Sequence, residues 1–213
     1  VEVIKGFHNM RWRFQQWDES VARNAAGRVD SCLEEIEWIE SRRKEMLDFA
    51  TLIENGVIPC RVTHNDTKIS NILFDAKTKE VLCAIDLDTV MSASVLNDVG
   101  DALRCYTNTG AEDAQDLSTV SMSLEMFTAY IRGYLSEMGS SLCPAELDNL
   151  AFSGRYITFE QVLRFLMDYL DGDTYYKTKY PEHNLVRARA QYKLLQSMEA
   201  QFPQMCEIVA ALR

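Results

Sequence analysis

Helical periodicity accounts for most of this sequence, and one short extended segment divides it. Before that segment, residues 10–24 form one helical pattern. A second starts at the Ser31/Glu34 capping box and continues to Gly56 and Pro59 as one long helix. After it, further helical patterns cover residues 98–106, 118–138, 144–170, 185–202 and 205–212. Gly154 is a candidate division of the 144–170 pattern, and Pro203 is the predicted break near the end.

The extended segment consists of two apolar runs, 71–74 and 81–85, with a polar stretch between them. Two such runs around a polar turn predict a small hairpin. We find neither an internal repeat nor a linker. The sequence therefore predicts one domain that is mainly α with a small β-hairpin.

The charge balance limits the partners of the chain. Its 213 residues include 22 basic and 32 acidic ones, a net charge of −10, which opposes binding to nucleic acid. The longest stretch without a charged residue has nine residues, from Thr89 to Asn97, whereas a membrane helix needs about 20 apolar residues. We therefore expect neither nucleic acid nor a membrane as a partner.

The cysteines indicate a compartment. Six are scattered without a C-x-x-C motif or a short Cys/His spacing, so they fit neither a zinc site nor a disulfide framework. No secretion signal opens the sequence. Reduced thiols in the cytoplasm are the expectation.

The residues with the clearest chemistry lie between Val62 and Asp88 in the sequence. His64, Asp66 and Asn71 fit H-x-D-x-x-x-x-N, in which the aspartate accepts a proton from the nucleophile and the asparagine binds a metal ion. Asp86 ends an apolar run and would be the second metal ligand, while Lys68 would place a cation on the transferred phosphoryl group. The pattern predicts Mg²⁺-dependent phosphoryl transfer from a nucleotide.

A structural interpretation of the same residues stands beside the catalytic one. Asp66 and Asp86 would then be solvated loop carboxylates, and Asn71 would cap a turn. For His64 we prefer a structural role in either case, as a packed or hydrogen-bonded brace for the loop.

Three further aspartates have roles that the sequence leaves open or assigns to structure. Asp88 is either a third metal ligand or a support for the site. Asp98 and Asp101 lie near a predicted helix start, where a carboxylate more often caps the helix than binds a ligand. We expect the capping role for both.

Five stretches of the sequence together resemble the aminoglycoside phosphotransferase and choline kinase superfamily, and within it the N-acetylhexosamine 1-kinases. They are V-T-H-N-D-T-K-I-S-N-I-L-F-D from Val62, A-I-D-L-D-T-V-M from Ala84, D-V-G-D-A-L-R from Asp98, R-F-L-M-D-Y-L-D-G-D-T-Y-Y-K from Arg164, and H-N-L-V-R-A-R-A-Q from His183. The resemblance implies the C-terminal lobe of the protein-kinase-like fold. It also implies transfer of the γ-phosphate of ATP to the anomeric hydroxyl of N-acetylglucosamine or N-acetylgalactosamine.

The resemblance assigns roles to particular residues. Asp66 becomes the base, Asn71 and Asp86 become the Mg²⁺ ligands, and Arg164 and Tyr175 match positions that contact the sugar. Without the resemblance, the sequence supports the sugar-contacting roles of Arg164 and Tyr175 less strongly than the other roles.

Two other observations bear on these sugar contacts. Arg164 has Glu160 and Asp168 four residues away on either side, so an ion-pair ladder on the surface explains it nearly as well. Tyr175 follows Gly172 in a polar loop, where an aromatic ring able to stack on a sugar is plausible.

Members of this family have an amino-terminal lobe that carries a nucleotide-covering loop and a phosphate-binding lysine. This sequence departs from the family there. Gly6, Gly27 and Gly56 are isolated, and no G-x-G-x-x-G or G-K-[ST] motif occurs. We therefore expect residues 1–213 to be the C-terminal, catalytic and acceptor-binding lobe, without the nucleotide-binding lobe. Alone, it would bind ATP weakly and turn over little or not at all.

Three alternatives to an N-acetylhexosamine kinase also fit this sequence. One is a kinase of the same superfamily that acts on an aminoglycoside, choline, homoserine or another sugar. A second is a non-catalytic, kinase-like binding module, and a more distant third is a metal-dependent hydrolase.

Overall fold

The structure of the protein is a computed structural model that describes residues 3–213. Its helices are α1 (Met10–Arg23), α2 (Leu33–Glu40), α3 (Arg43–Glu54), α4 (Val95–Tyr106), α5 (Leu124–Met138), α6 (Pro144–Asp148), α7 (Leu150–Leu170), α8 (His183–Ala200) and α9 (Phe202–Leu212). Its strands are β1 (Arg61–Thr63), β2 (Ile72–Phe74), β3 (Val81–Ala84) and β4 (Met91–Ala93). The fold is mainly helical with small antiparallel strand pairs, as in the C-terminal lobe of a kinase-like fold.

Helix α7 forms the centre of the core and packs against α1, α4 and α8. Most of its 21 residues are buried, because helices surround it on several sides. Gly154 does not divide it. Instead, a Cβ atom at Gly154 would lie 3.3 Å from Leu103 on α4, so this glycine permits the two helices to pack closely.

The long helix predicted before Gly56 is in fact two helices, α2 and α3. The Ser31/Glu34 capping box is wrong: α2 begins after Cys32, and the Ser31 hydroxyl donates to the carbonyl of Arg28 instead. Between the two helices, the Ser41 hydroxyl donates to the carbonyl of Glu37 at 2.7 Å. Such local side-chain bonds compete with continued helix.

Other helices also begin at residues that differ from the predicted ones. Helix α4 starts at Val95, three residues before the predicted start at 98, because Ser94 is its N-cap and accepts a hydrogen bond from the Leu96 amide. Helix α5 starts after its own N-cap, Ser123, rather than at residue 118. Near the end of the chain the break falls at Gln201, and Pro203 lies in the first turn of α9.

The predicted hairpin is confirmed, and a second strand pair accompanies it. Strands β2 and β3 are antiparallel, with Ile72 opposite Ala84. The sequence did not indicate the pairing of β1 with β4, in which Val62 lies opposite Ser92. These two strands flank the loop that contains the H-x-D-x-x-x-x-N motif, so their pairing fixes where that loop begins. None of the helices within residues 3–213 is long and apolar enough to cross a membrane.

Candidate active site

The loop that follows β1 is held at its start by buried polar contacts of Asn65. This residue is 2% exposed and has a positive φ of 64°, a conformation that asparagine tolerates better than most residues. Its side-chain amide donates to the carbonyls of Thr63 and Thr89. The strand pair and the loop are therefore joined by one side chain immediately before Asp66.

Helix α4 holds the same loop through Asp98. Its carboxylate accepts hydrogen bonds from the backbone amides of His64, at 2.9 Å, and Asn65, at 2.6 Å. Burial raises the pKa of Asp98, although these two amide bonds act in the opposite direction. The hydroxyls of Thr67 and Tyr106 complete the attachment, donating to the Asp98 and Thr67 carbonyls respectively.

The capping roles predicted for Asp98 and Asp101 are therefore wrong. Asp98 binds the backbone of the loop rather than the start of its own helix. Asp101 is 5% exposed and forms an ion pair with Arg104 at 2.9 Å. Sequence spacing could not show the role of Asp98, because its partners are backbone groups more than 30 residues earlier in the chain, whereas the Asp101–Arg104 pair has a local i,i+3 spacing.

Asp66, Lys68 and Asn71 form a hydrogen-bonded cluster. The Lys68 ammonium donates to Oδ2 of Asp66 at 2.6 Å, and Nδ2 of Asn71 donates to the same oxygen at 2.9 Å. Nδ2 of Asn71 also donates to the Asp66 carbonyl, at 2.9 Å. Both side-chain bonds end on Oδ2, so Oδ1 of Asp66 can accept a proton from a hydroxyl group.

Asp86 belongs to the same region. The Ile85 amide donates to the Asn71 carbonyl at 2.9 Å, which places Asp86 one residue beyond a backbone contact with Asn71. Burial lowers the pKa of Lys68, but the hydrogen bond to Asp66 and the charges of Asp66 and Asp86 outweigh it and raise that pKa overall. Asp86 and Asp88 are both exposed. Asp86 thus lies in the same region as Asp66 and Asn71.

The oxygen atoms of Asn71 and Asp86 are suitable ligands for a hard cation, such as Mg²⁺, that also binds phosphate. Because Nδ2 of Asn71 makes both hydrogen bonds to Asp66, its Oδ1 atom can face a metal ion, and the Asp86 carboxylate is exposed nearby. Within residues 3–213, no group of three or more His, Cys, Asp or Glu side chains could hold a metal ion. Mg²⁺ commonly takes only one or two protein ligands and fills its shell with phosphate and water oxygens.

His64 is the brace that the sequence predicted. Its Nε2 atom lies 2.9 Å from the Ile85 carbonyl, and its Nδ1 atom accepts a hydrogen bond from the Asp66 amide at 3.3 Å. It therefore connects the loop after β1 to the residue that follows β3, next to Asp86.

Arg164 and Tyr175 line one pocket of about 320 Å³ between α1, α7 and the loop after α7. Arg164 is only 8% exposed, and its guanidinium lies 5.6–5.8 Å from the rings of Phe7, Tyr175 and Tyr176. Within the part of the chain that the structure describes, it forms no ion pair with a carboxylate. The surface ion-pair ladder is therefore wrong, because α7 is buried here and aromatic rings cover the guanidinium.

Asp168 supports the loop that carries Tyr175, a role that sequence reasoning missed. Its carboxylate accepts hydrogen bonds from the backbone amides of Thr174, Tyr175 and Tyr176 at 2.8–2.9 Å, and from the Asn184 side chain at 2.8 Å. No sequence signal marks such a contact, because backbone amides occur at every position except proline.

A mainly helical chain whose antiparallel strand pairs surround an H-x-D-x-x-x-x-N loop has the architecture of the C-terminal lobe of kinase-like phosphotransferases. Residues 3–120 match the sequence model of the APH phosphotransferase enzyme family, more than half of the 213-residue chain. The chain therefore belongs to this family. The match includes the Asp66 cluster and Asp86, and it ends before the pocket residues of α7.

Proposed function

We propose that this chain is the catalytic lobe of an ATP- and Mg²⁺-dependent small-molecule kinase that phosphorylates the anomeric hydroxyl of an N-acetylhexosamine. The observation that carries the proposal is the Asp66 carboxylate, held through one oxygen by Lys68 and Asn71. A fixed carboxylate with a second oxygen available suits a residue that must orient a hydroxyl and take its proton.

The residues around Asp66 have complementary roles. Asp66 is the base, acting through Oδ1. Lys68 would contact the phosphates of ATP, and its present bond to Asp66 holds its ammonium within 2.6 Å of the base. A cation at this position stabilises negative charge on the transferred group and the phosphates.

Asn71 and Asp86 would hold Mg²⁺. When bound, the ion neutralises charge on the phosphates of ATP. In the protein, the Asn71 amide group binds Asp66 through nitrogen and would bind the metal through oxygen. This residue therefore links the position of the base to the position of the nucleotide.

The pocket around Arg164 supports a neutral sugar as acceptor. Aromatic rings can pack on the apolar face of a sugar, and a guanidinium donates hydrogen bonds to hydroxyl or amide oxygens. A cationic acceptor such as an aminoglycoside or choline fits less well, because Arg164 and Arg13 both line the pocket. Of the two lining carboxylates, Asp168 binds backbone amides and Asp171 binds Ser20 and Arg23.

We also propose that a separate nucleotide-binding lobe completes the kinase, residues 1–213 being the catalytic and acceptor-binding lobe. The hairpin beside the Asp66 cluster exposes several large apolar side chains: Leu73, Phe74, Val81 and Leu82 are 43–65% exposed. A covering lobe or bound nucleotide would bury this surface. All six cysteines are unpaired in the structure, which supports the cytoplasm as the location.

Acceptor binding can be tested with this chain alone. N-acetylglucosamine and N-acetylgalactosamine should perturb the NMR signals of residues 164 and 174–176, and Arg164→Gln should abolish the effect. Arg11→Gln is the matched control, because Arg11 is an exposed arginine paired with Glu54 outside the pocket. Preferential binding of glucose, choline or an aminoglycoside would contradict the N-acetylhexosamine assignment.

Transfer is tested by following sugar 1-phosphate formation with Mg²⁺-ATP. We expect the chain alone to remain far below ordinary kinase rates of roughly 1–100 s⁻¹. Joined to a nucleotide-binding lobe, it should produce sugar 1-phosphate. No turnover of any N-acetylhexosamine by the joined protein, despite bound Mg²⁺-ATP, would contradict the proposal.

A further inference from the structure

His8 lies between the loop that follows β1 and helix α7, and its ring contacts both. Its Nδ1 atom is 2.7 Å from Oε2 of Glu160, and its Nε2 atom is 3.1 Å from the carbonyl oxygen of Asn65. Both partners are acceptors when Glu160 is ionised. Two such contacts then require two N–H donors, which only the doubly protonated imidazolium provides.

Glu160 is held in its ionised form by its surroundings. Its side chain is 1% exposed, and Arg13 lies 3.4 Å from its other oxygen. Burial raises the pKa of Glu160, but the charges of His8, Arg164 and Arg13 outweigh it and lower that pKa to about 2. A neutral pair, with the proton on Glu160, is therefore disfavoured.

The other two histidines have different hydrogen-bond roles. Nδ1 of His64 accepts from the Asp66 amide, and Nδ1 of His183 accepts from the Lys179 amide. In each case the opposite nitrogen, Nε2, lies near an oxygen acceptor. Nδ1 is thus an acceptor in both rings, whereas both ring nitrogens of His8 face oxygen acceptors.

The peptide group between Asn65 and Asp66 is held at both ends by histidines. His8 binds its carbonyl oxygen, and His64 binds its N–H. This peptide directly precedes the side chain of the proposed base. Its orientation therefore sets the direction in which the Asp66 side chain leaves the backbone.

We propose that His8 is a positioning residue: as an imidazolium it ties the Asn65–Asp66 peptide to Glu160, one helical turn from Arg164 in the acceptor pocket. The link aligns the base with the pocket that presents the acceptor. This catalytic meaning rests on the proposed function. Loss of the His8 proton removes the attraction to Glu160 and frees one end of the peptide.

The charges around His8 come from several elements. Burial lowers the pKa of His8, but the charge and hydrogen bond of Glu160 and the bond to Asn65 raise it overall. Within residues 3–213, the charged and titratable groups near the His8–Glu160 pair are Arg164 and Tyr156 on α7, Arg13 on α1, Asp98 on α4, and Tyr176 in the loop after α7. Arg164 acts against the protonated ring, and Asp98 supports it.

The test is an NMR titration of the whole chain with ¹⁵N-labelled histidine, assigned with His8→Gln, His64→Gln and His183→Gln. At pH 6.5, the ordinary pKa of histidine, both ring nitrogens of His8 should give predominantly the signals of protonated nitrogen. A predominantly neutral His8 in the wild-type chain at pH 6.5 would overturn the proposal. This measurement needs no variant to fold except for assignment.

A second measurement separates positioning from a purely local role. Glu160→Gln should convert His8 to a predominantly neutral ring at pH 6.5, because burial then lowers the pKa of His8 without the opposing charge of Glu160. It should also shift the Asp66 amide signal in the same direction as His8→Gln does. If both variants fold and the Asp66 amide does not move, His8 does not position the base. Neither experiment uses ATP or acceptor, so failure of the proposed kinase activity would be recognised separately.

Discussion

Asn71 binds Asp66 twice through a single nitrogen atom: Nδ2 lies 2.9 Å from the Asp66 carbonyl oxygen and 2.9 Å from its carboxylate. This relationship fixes the amide orientation of Asn71, with its oxygen on the opposite side from Asp66. One side chain thereby orients the proposed base and directs an oxygen to the proposed metal position.

Asp66→Asn should remove most transfer activity with little loss of stability. In a protein that joins this chain to a nucleotide-binding lobe, we expect a fall of about 10²–10⁴-fold, the usual contribution of a general base. The free energy of unfolding should change by less than about 1 kcal/mol, because the ion pair with Lys68 is partly exposed. Unchanged activity would reject Asp66 as the base.

The His8–Glu160 pair should give a stability difference that depends on pH. Glu160 has a lowered pKa, so its contribution is complete above its ordinary value of 4.5 and is lost as the pH falls toward about 2. His8 has a raised pKa, so its contribution is complete below its ordinary value of 6.5 and is lost as the pH rises through the folded-state value.

The stability difference between wild type and His8→Gln should therefore be largest between pH 4.5 and 6.5. We expect about 3 kcal/mol, the lower end for breaking a buried ion pair, because Arg13 still faces Glu160. Urea unfolding across the pH range measures it. A difference that grows steadily above pH 6.5 would contradict the charge assignment.

Asp168→Asn should loosen the loop that presents Tyr175. Removing the charge weakens hydrogen bonds from three backbone amides, at a cost of about 1.5–3 kcal/mol. Hydrogen exchange should accelerate at residues 174–176. Asp148→Asn is the matched control, because this carboxylate is 62% exposed and pairs with Arg213 at the surface. Equal exchange rates at residues 174–176 in both variants would show that Asp168 does not support this loop.

The crossing of α4 and α7 should tolerate no added methyl group. A Cβ at Gly100 would lie 2.4 Å from the Ser153 carbonyl oxygen, so Gly100→Ala should destabilise the chain by about 1–3 kcal/mol. Gly133→Ala, on the exposed face of α5, meets nothing within 4 Å and should be neutral or slightly stabilising. Thermal unfolding of both variants tests the close contact, and equal melting temperatures would contradict it.

Local patterns predicted the fold class, the hairpin and most helices, because apolar spacing and turn residues act over a few positions. The same patterns missed β1 and β4, since these short strands contain no apolar run and pair across the intervening residues 64–90. Non-local contacts were also missed. Asp98 and Asp168 act on backbone amides, and the burial of Arg164 depends on Phe7, far away in the sequence.

In the candidate site too, the local contacts could be predicted from the sequence and the non-local contacts could not. The H-x-D-x-x-x-x-N spacing indicated Asp66 and Asn71, whose contact is local, and the hairpin connects Asp86 to them through the Asn71–Ile85 backbone bond. The histidine arrangement could not be predicted, because His8 and Glu160 are 152 residues apart in the chain.

In the proposed function, Asn71 and Asp86 bind the divalent ion of the nucleotide next to Asp66. Paramagnetic broadening by Mn²⁺-ATP at low occupancy measures this directly on the whole chain. The amide signals of Asp66, Asn71 and Asp86 should broaden first, and Asp86→Asn should abolish the effect. Broadening centred elsewhere, such as at the surface carboxylates Asp113 and Asp116, with these three signals unchanged, would contradict it.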